Sequence, residues 1–304
     1  MSAAGSFAWP RISVVTPSYQ QADFLETTVL SVLGQSYPNL EYIVMDGGST
    51  DGSVAIIERY ADRIAHWESA RDAGQADAIN RGFARATGDI LCWVNSDDYL
   101  LPGALRTVAR LLAGAPEEPA LVYGGCLQFH EKSSAAKVVR PRPHDPARLR
   151  IYDYLVQPST FWTRALWQRT GPLDATLTYA FDWDWFVRAS AHGPFEQRDE
   201  VFSAYRHHEA HKTGHGGTAR SEEILAVVRR HGTPTEIASY EFALQKRPAF
   251  EQRRRISKMI GGLGGTVARV GARVLTPQLW RIPAAVDRRV LELCRPMLGI
   301  SAGL

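Results

Sequence analysis

The stretch "ISVVTPSYQQADFLETTVLSVLGQSYPNLEYIVMDGGSTDGS", residues 12–53, alternates two kinds of segment. "ISVVT" (12–16) and "EYIVM" (41–45) are short apolar runs rich in β-branched residues, as expected of strands buried on both faces. Between them, about Ala22 to Leu33 is helix-sized, and the turn "GGSTDGS" leads into a second such segment, about Ser53 to Tyr60. Working outward, the runs "IAHWE" (64–68), "ILCWV" (90–94) and "ALVYG" (120–124) continue the strands, and Gln75 to Ala86 and Pro102 to Leu112 continue the helices. This alternation predicts right-handed βαβ units and a mainly parallel sheet. In the helix near Gln75, Ile79, Phe83 and Ala86 share one face, and Gly88 is its expected C-terminal stop.

The chain has 304 residues, of which 45% are hydrophobic and 22% charged, enough for one large α/β domain with an appendage or for two small domains. Its cysteines, Cys92, Cys126 and Cys294, show no CxxC spacing, so neither a zinc cluster nor a disulfide framework is indicated and a reducing, cytoplasmic setting is expected. No window approaches the roughly 18 apolar residues of a spanning helix, and the N-terminus lacks a signal-peptide pattern. The net charge of +3 is unevenly placed, because from Gln252 onward ten Arg or Lys face only Asp287 and Glu292. In that tail Ile260, Leu263, Val267, Val270 and Val274 form the stripe of an amphipathic helix with Arg269 and Arg273 off it, and a second short helix is expected from about Ala284 to Arg295. Such a tail suits the inner face of an anionic membrane, its own domain, or a second copy in a homodimer. Nothing in the charge pattern calls for nucleic acid as a partner.

Four strands end on polar residues: Pro17, Ser18 and Tyr19 after the first, Asp46 after the second, Arg71 and Asp72 after the third, and Asn95, Asp97 and Asp98 after the fourth. One such Asp is an ordinary cap or turn former. Four in a row along the carboxyl edge of a parallel sheet mark a ligand crevice. No GxGxxG follows the first strand and no GxxxxGK[ST] is present, so neither the dinucleotide fingerprint nor a P-loop is supported. Adjacent carboxylates with the Asn95 amide are hard oxygen donors suited to Mg²⁺ or Mn²⁺ bridging a diphosphate, and such a cation relieves their mutual repulsion.

The stretch 12–53, followed by "DAGQADAINRGFARATGDILCWVNSDD" (72–98), resembles the family 2 glycosyltransferases, nucleotide-diphospho-sugar transferases of the GT-A fold, over about residues 11 to 215. The resemblance implies a Rossmann-like, mainly parallel sheet with flanking helices plus a basic helical tail. It divides the chain into a nucleotide-sugar half (1–125), an acceptor half with base and closing loop (126–220) and a tail (221–304). Thr16, Pro17 and Tyr19 then match the nucleobase pocket, Asp46 the acid that bonds the base, and Asp72 the position completing the pocket. Asn95, Ser96 and Asp97 occupy the DXD position, with Asp97 the metal ligand and Asp98 beside the donor sugar. Here the motif's first acid is an uncharged Asn95, which implies weak metal affinity or metal binding only together with the donor diphosphate, unless Asn95 merely stabilises the turn.

In "QPSTFWTRALWQRTGPLDATLTYAFDWDWFVRAS" (157–190) a helix is expected from about Asp182, with Asp182 and Asp184 among Phe181, Trp183, Trp185 and Phe186. A carboxylate among aromatics is desolvated and made more basic, as a general base requires, although a cap and a core-facing helix turn explain the same residues. The segment resembles the family's acidic motif before "WxxR", which implies Asp182 as catalytic base with Asp184 as its alternative. Gln157, Trp183 and Asp184 then lie toward the acceptor. The histidines of "YRHHEAHKTGHGG" (205–217), His207, His208, His211 and His215, allow zinc spacings such as H-x2-H and H-x3-H, but no Cys stands near. The same stretch resembles the family's mobile RxH segment, which implies Arg206 or Lys212 on the diphosphate and His208 near the metal. The implied reaction is displacement with inversion, from a nucleoside diphosphate sugar, uridine first, to a hydroxyl of a saccharide or lipid-linked saccharide in cell-envelope or polysaccharide synthesis. A nucleotidyltransferase has a similar sheet but needs a Gly- and Arg-rich loop after the first strand, which "TPSYQQADF" is not. An inactive nucleotide-sugar-binding member is the other alternative.

Overall fold

The computed structural model describes residues 7–114, 117–133, 135–209, 216–252 and 282–298. They fall into two compact units, one within Met1–His144 and Tyr154–His211, the other within Asp145–Asp153 and Lys212–Leu304.

The first unit is built on a mixed sheet. Strands β1 (Ile12–Ser18), β2 (Leu40–Asp46), β3 (His66–Ser69) and β4 (Ile90–Trp93) pair in parallel in the order β3-β2-β1-β4. Helices α1 (Ala22–Leu33), α2 (Ser53–Arg59) and α3 (Gln75–Arg85) connect them, and α4 (Ala104–Leu112) follows a two-residue strand, β5 (Tyr99–Leu100). Every residue of β1 and β4 is buried, which accounts for their uninterrupted apolar reading. On α1 the buried set Leu25, Thr28, Val29, Val32 and Leu33 recurs at helical spacing and packs onto the sheet. The stop assigned to Gly88 needs correction: α3 ends at Arg85 and passes through an extended Ala86. Gly88 instead lies against β1, where its N–H donates to Ser13 Oγ at 2.8 Å and a Cβ would come within 2.5 Å of that oxygen.

Beyond β4 the sheet turns antiparallel. Strand β8 (Thr160–Thr163) inserts between β4 and β6 (Leu121–His130), antiparallel to both, and β6 pairs in parallel with β9 (Phe195–His207). The short β7 (Ala136–Val139) pairs with the far half of β6, and β5 closes the order antiparallel to β9, register Tyr99 opposite Ala204. The strand expected at 120–124 thus continues to His130, through Gly124 and Gly125, where the β6–β9 register shifts. Helices α6 (Arg164–Thr170) and α7 (Phe181–Ala189) complete this unit.

Glu41 anchors the start of β1. Its carboxylate accepts from Ser13 Oγ (2.5 Å), Thr87 N (2.6 Å) and Thr87 Oγ1 (2.7 Å) and pairs with Arg11 at 2.9 Å. Burial raises its pKa, but the donors from Ser13 and Thr87 and the Arg11 charge outweigh it and hold the carboxyl below its usual 4.5. A depressed folded-state pKa contributes stability above the unfolded value that is lost as pH falls through the folded one. Glu41→Gln is therefore expected to cost about 1–3 kcal/mol near pH 7 and to flatten the fall in stability below pH 4.5, read from urea midpoints at several pH values.

The second unit is helical: α5 (Pro146–Leu149), α8 (Gly217–His231), α9 (Pro234–Gln245) and α10 (Arg288–Met297). A capping box, Thr233 with Glu236, and Pro234 at the first position start α9, and Asp287 caps α10. The expected short helix near 284–295 is thus α10, whose Val290, Leu291, Cys294 and Met297 are buried while Arg288, Arg289 and Glu292 face outward. Arg220 donates to Met297 O and Arg247 to Leu298 O, tying its end to the bundle. The stripe Ile260 to Val274 with Arg269 and Arg273 lies outside the described residues. Among the described residues no helix is long and apolar enough to cross a membrane.

Candidate active site

Because β3, β2, β1 and β4 run parallel, their carboxyl ends share one edge, and the polar residues singled out in the sequence gather there. At the end of β1 Tyr19 reaches out, 61% exposed. Thr16, expected in the nucleobase pocket, is fully buried and accepts from the Tyr42 hydroxyl at 3.1 Å, and Pro17 is buried beside it. Both are therefore strand core rather than pocket lining. Gly47 separates Tyr19 from Asp72: a Cβ there would lie 2.9 Å from Asp72 Oδ2 and 3.2 Å from the Tyr19 ring. The Tyr19 ring and the Asp72 carboxyl thus both close on the bare backbone of Gly47. Burial raises the Asp72 pKa, against the N–H of Gly74 and with the charges of Asp77 and Asp46.

Asp46, expected to bond the base, is the last residue of β2. Its oxygens accept from Gly48 N (3.0 Å), Ser49 N (2.8 Å), Ser49 Oγ (2.6 Å) and Ser69 Oγ (2.6 Å), and it is 2% exposed. It builds the loop after β2. That loop in turn serves α1, whose Gln21 cap makes no side-chain cap bond: Asp51 Oδ2 accepts from Ala22 N at 2.9 Å and Ser53 Oγ from Gln21 N at 3.2 Å. Gln20, left-handed at φ 53°, exchanges hydrogen bonds with Thr50 at 3.0 and 3.2 Å, so the backbone beside Tyr19 is strapped to this loop.

After β4, Asp98 N donates to Asn95 O at 3.0 Å and closes a tight turn. Thr28 Oγ1 of α1 lies 2.9 Å from Ser96 O and 2.6 Å from Asp98 O, holding the turn from beneath. Ser96, expected at the donor, is 5% exposed. Asp98, expected to face the sugar, is 1% exposed and accepts from Arg206 N at 3.2 Å and Asn95 Nδ2 at 3.4 Å. Burial, then the neighbouring Asp97 charge, pushes its pKa well above the usual carboxylate range. Asp97 is the carboxylate left in reach, its Oδ2 3.1 Å from His208 Nε2. The Asn95 oxygen accepts from Gln75 Nε2 at 2.8 Å, a partner the sequence reading missed. Gln157, expected on the acceptor side, is 7% exposed and donates to Trp93 O at 2.8 Å, with its Oε1 3.4 Å from Asn95 Nδ2. It braces the end of β4 instead.

Helix α7 starts at Phe181 with Ala180 as its cap, so Asp182 is the second helical residue, half-buried, with Oδ1 accepting from Trp183 N at 2.8 Å. The rings of Phe181 and Phe186 each lie 6.4 Å from Trp93, the last residue of β4, which brings the start of α7 beside the Asn95–Asp98 turn. Trp183 and Asp184 are corrected as acceptor contacts: Trp183 is 1% exposed and Asp184 fully buried, bonded to Arg188 Nε at 2.9 Å. The same Arg188 donates to Thr170 O and Pro172 O and, with Trp185 Nε1 on Gly171 O, clamps the preceding turn to α7. Arg188→Met removes the cation beside a buried carboxylate and is expected to cost about 3 kcal/mol, read as a lowered urea midpoint.

Lys212, His211 and His215 lie outside the described residues. Among the described residues no three His, Cys, Asp or Glu side chains gather to hold a metal. The Asp97–His208 pair fits a divalent cation that takes its remaining ligands from water and a diphosphate, and a carboxylate with an imidazole suits Mn²⁺ better than Mg²⁺.

A largely parallel sheet with a carboxylate turn after its fourth strand, continued by an antiparallel insertion, defines the GT-A class of transferase fold. The chain belongs to the family described as Glycosyl transferase family 2, whose profile matches residues 13–164. It is similar to an uncharacterised glycosyltransferase of Rickettsia typhi, 26% identical over 185 residues, or 58% of each chain. It also resembles the putative teichuronic acid biosynthesis glycosyltransferase TuaG of Bacillus subtilis, 41% identical over 92 residues, or 29% of this chain and 36% of the other. The chain thus spans less than three fifths of the length of these relatives. Among solved structures, S. aureus TarS 1-349 in complex with UDP-GlcNAc superposes with a TM-score of 0.57 at 18% identity, over 76% of this chain and 66% of that one. The mannosyltransferase PcManGT of Pyrobaculum calidifontis, in complex with GDP-Man and Mn²⁺, gives 0.58 at 18% identity, over 97% and 86%.

Proposed function

We propose that this chain is an inverting glycosyltransferase moving a sugar from a nucleoside diphosphate donor, uridine first, to a hydroxyl of a saccharide or lipid-linked saccharide in envelope polysaccharide synthesis. The observation that carries this reading is the Asp97–His208 pair, 3.1 Å apart, at the same sheet edge as the exposed Tyr19 ring and the Asp72 carboxyl, which meet over Gly47. A stacking face with a carboxyl acceptor suits a nucleobase, and a carboxylate–imidazole pair suits the cation that accompanies a diphosphate. When bound, that cation supplies Lewis-acid stabilisation of the departing diphosphate.

Asp182 is the base. Its carboxylate stands in the first turn of α7 and is the group to accept a proton. It takes that proton from the acceptor hydroxyl as the oxygen attacks the anomeric carbon. The new carbon–oxygen bond forms on the face opposite the bond to phosphate, which breaks with its electron pair on the nucleoside diphosphate. No covalent sugar–enzyme intermediate is required. The buried aromatics of α7, β4 and β8 fix the position of Asp182 rather than binding sugar. The names of TuaG and of the TarS and PcManGT complexes support the choice of envelope acceptors, nucleoside diphosphate donors and Mn²⁺.

The test is incubation with UDP, GDP and dTDP sugars and Mn²⁺ or Mg²⁺, followed by release of nucleoside diphosphate. One donor is expected to be turned over, faster with Mn²⁺. Binding without release from any donor would favour an inactive member, and pyrophosphate chemistry from a sugar phosphate and a triphosphate would favour a nucleotidyltransferase.

A further inference from the structure

Arg206 sits one residue from the end of β9, paired with Phe129 of β6 and two residues beyond the Ala204 that pairs with Tyr99 of β5. Its guanidinium is caged by three rings from three elements: Phe24 of α1 at 5.0 Å, Phe129 of β6 at 5.4 Å and Tyr99 of β5 at 6.0 Å. Nε donates to Asp97 O at 3.2 Å, the backbone N–H to Asp98 Oδ1 at 3.2 Å, and the guanidinium also meets Glu131 at 3.4 Å. The side chain is only 13% exposed. Phe24 has a second partner, the His208 ring, 4.3 Å away, and the His208 side chain is 2% exposed.

We propose that Arg206 and Phe24 are positioning residues for the Asp97–His208 pair, and that Arg206 is not a diphosphate ligand. The inference deepens the donor-site reading and rests on it. Arg206 pins the turn after β4 to the end of β9 through the Asp97 carbonyl and the Asp98 carboxyl, and so sets the carboxylate that faces the cation. Phe24 supports the cage from one side and fixes the imidazole from the other. Contacts between a cation and a ring strengthen when desolvated, so turning the guanidinium toward a diphosphate gives up three at once. Releasing the imidazole restores its rotamer freedom, about 1 kcal/mol, or roughly a fivefold loss of cation affinity.

The test uses the full chain, Phe24→Leu and Arg206→Met, and three readouts. Mn²⁺ affinity is taken from the loss of the free-ion electron paramagnetic resonance signal with UDP present, or GDP if UDP does not bind. Metal-free binding of the same nucleotide is taken by calorimetry, and hydrogen exchange over 205–209 by mass spectrometry, with β1 and β2 as the folding control. Both variants are expected to bind Mn²⁺ about fivefold more weakly or worse, to hold metal-free nucleotide within about twofold, and to exchange faster over 205–209 by about tenfold. A large loss of metal-free nucleotide affinity in Arg206→Met, with Mn²⁺ affinity unchanged in Phe24→Leu, would make Arg206 a diphosphate ligand and overturn the proposal. If wild type binds neither nucleotide, the donor-site reading fails separately, and exchange decides: unchanged protection over 205–209 in both variants sinks the positioning role.

Discussion

Asp182→Asn is expected to lower the rate of sugar transfer about 10³-fold while nucleoside diphosphate binding stays within about twofold of wild type. The substitution keeps the shape and the oxygen that accepts from Trp183 N, and removes only the basicity. The loss should therefore appear in kcat, because Tyr19, Asp72 and the Asp97–His208 pair stand on other elements. The neighbouring acid gives the contrast. Asp184 belongs to a buried pair with Arg188, so Asp184→Asn should act mainly through stability, with lost activity tracking lost folded protein. Steady-state release of nucleoside diphosphate measures both, with the folded fraction taken from circular dichroism. An Asp182→Asn enzyme retaining a tenth or more of the wild-type rate would remove Asp182 from the role of base.

Asp97→Asn should have the second largest effect, about 10²–10³-fold in kcat/KM, together with loss of the Mn²⁺ dependence of nucleotide binding. Asp97 is the carboxylate of its turn that is both within reach and beside an imidazole. Asp98 is closed off by burial and by the Arg206 N–H, and Asn95 carries no charge. The variant removes half of a two-residue donor set and leaves His208 in place. Titration with Mn²⁺ in the presence of the nucleotide that wild type binds reads the effect directly. Unchanged Mn²⁺ affinity would move the cation away from this turn.

Much of this site is visible in local pattern. The alternation of apolar runs and helix-sized segments predicts β1 to β4 and α1 to α4 within a few residues, because buried parallel strands and amphipathic helices write their periods into neighbouring positions. The turn of Asn95 to Asp98 after the fourth strand is legible for the same reason. What failed was the direction of side chains. Thr16, Trp183 and Asp184 carry suitable chemistry but point into the core, and Asp46 accepts from Gly48 and Ser49 of its own loop and from Ser69 of β3.

The chain alone determined the strand–helix order, the polar carboxyl edge of the sheet and the family motifs of residues 12–98. Only the tertiary structure decided which of those polar groups meet. Asp97 and His208 are 111 residues apart, and what joins them is a two-residue strand, β5, in antiparallel register with β9, too short to leave a periodic signal. The cage around Arg206 draws one ring each from α1, β5 and β6. Such contacts depend on how the sheet closes, a property of long-range register that no local window of residues encodes.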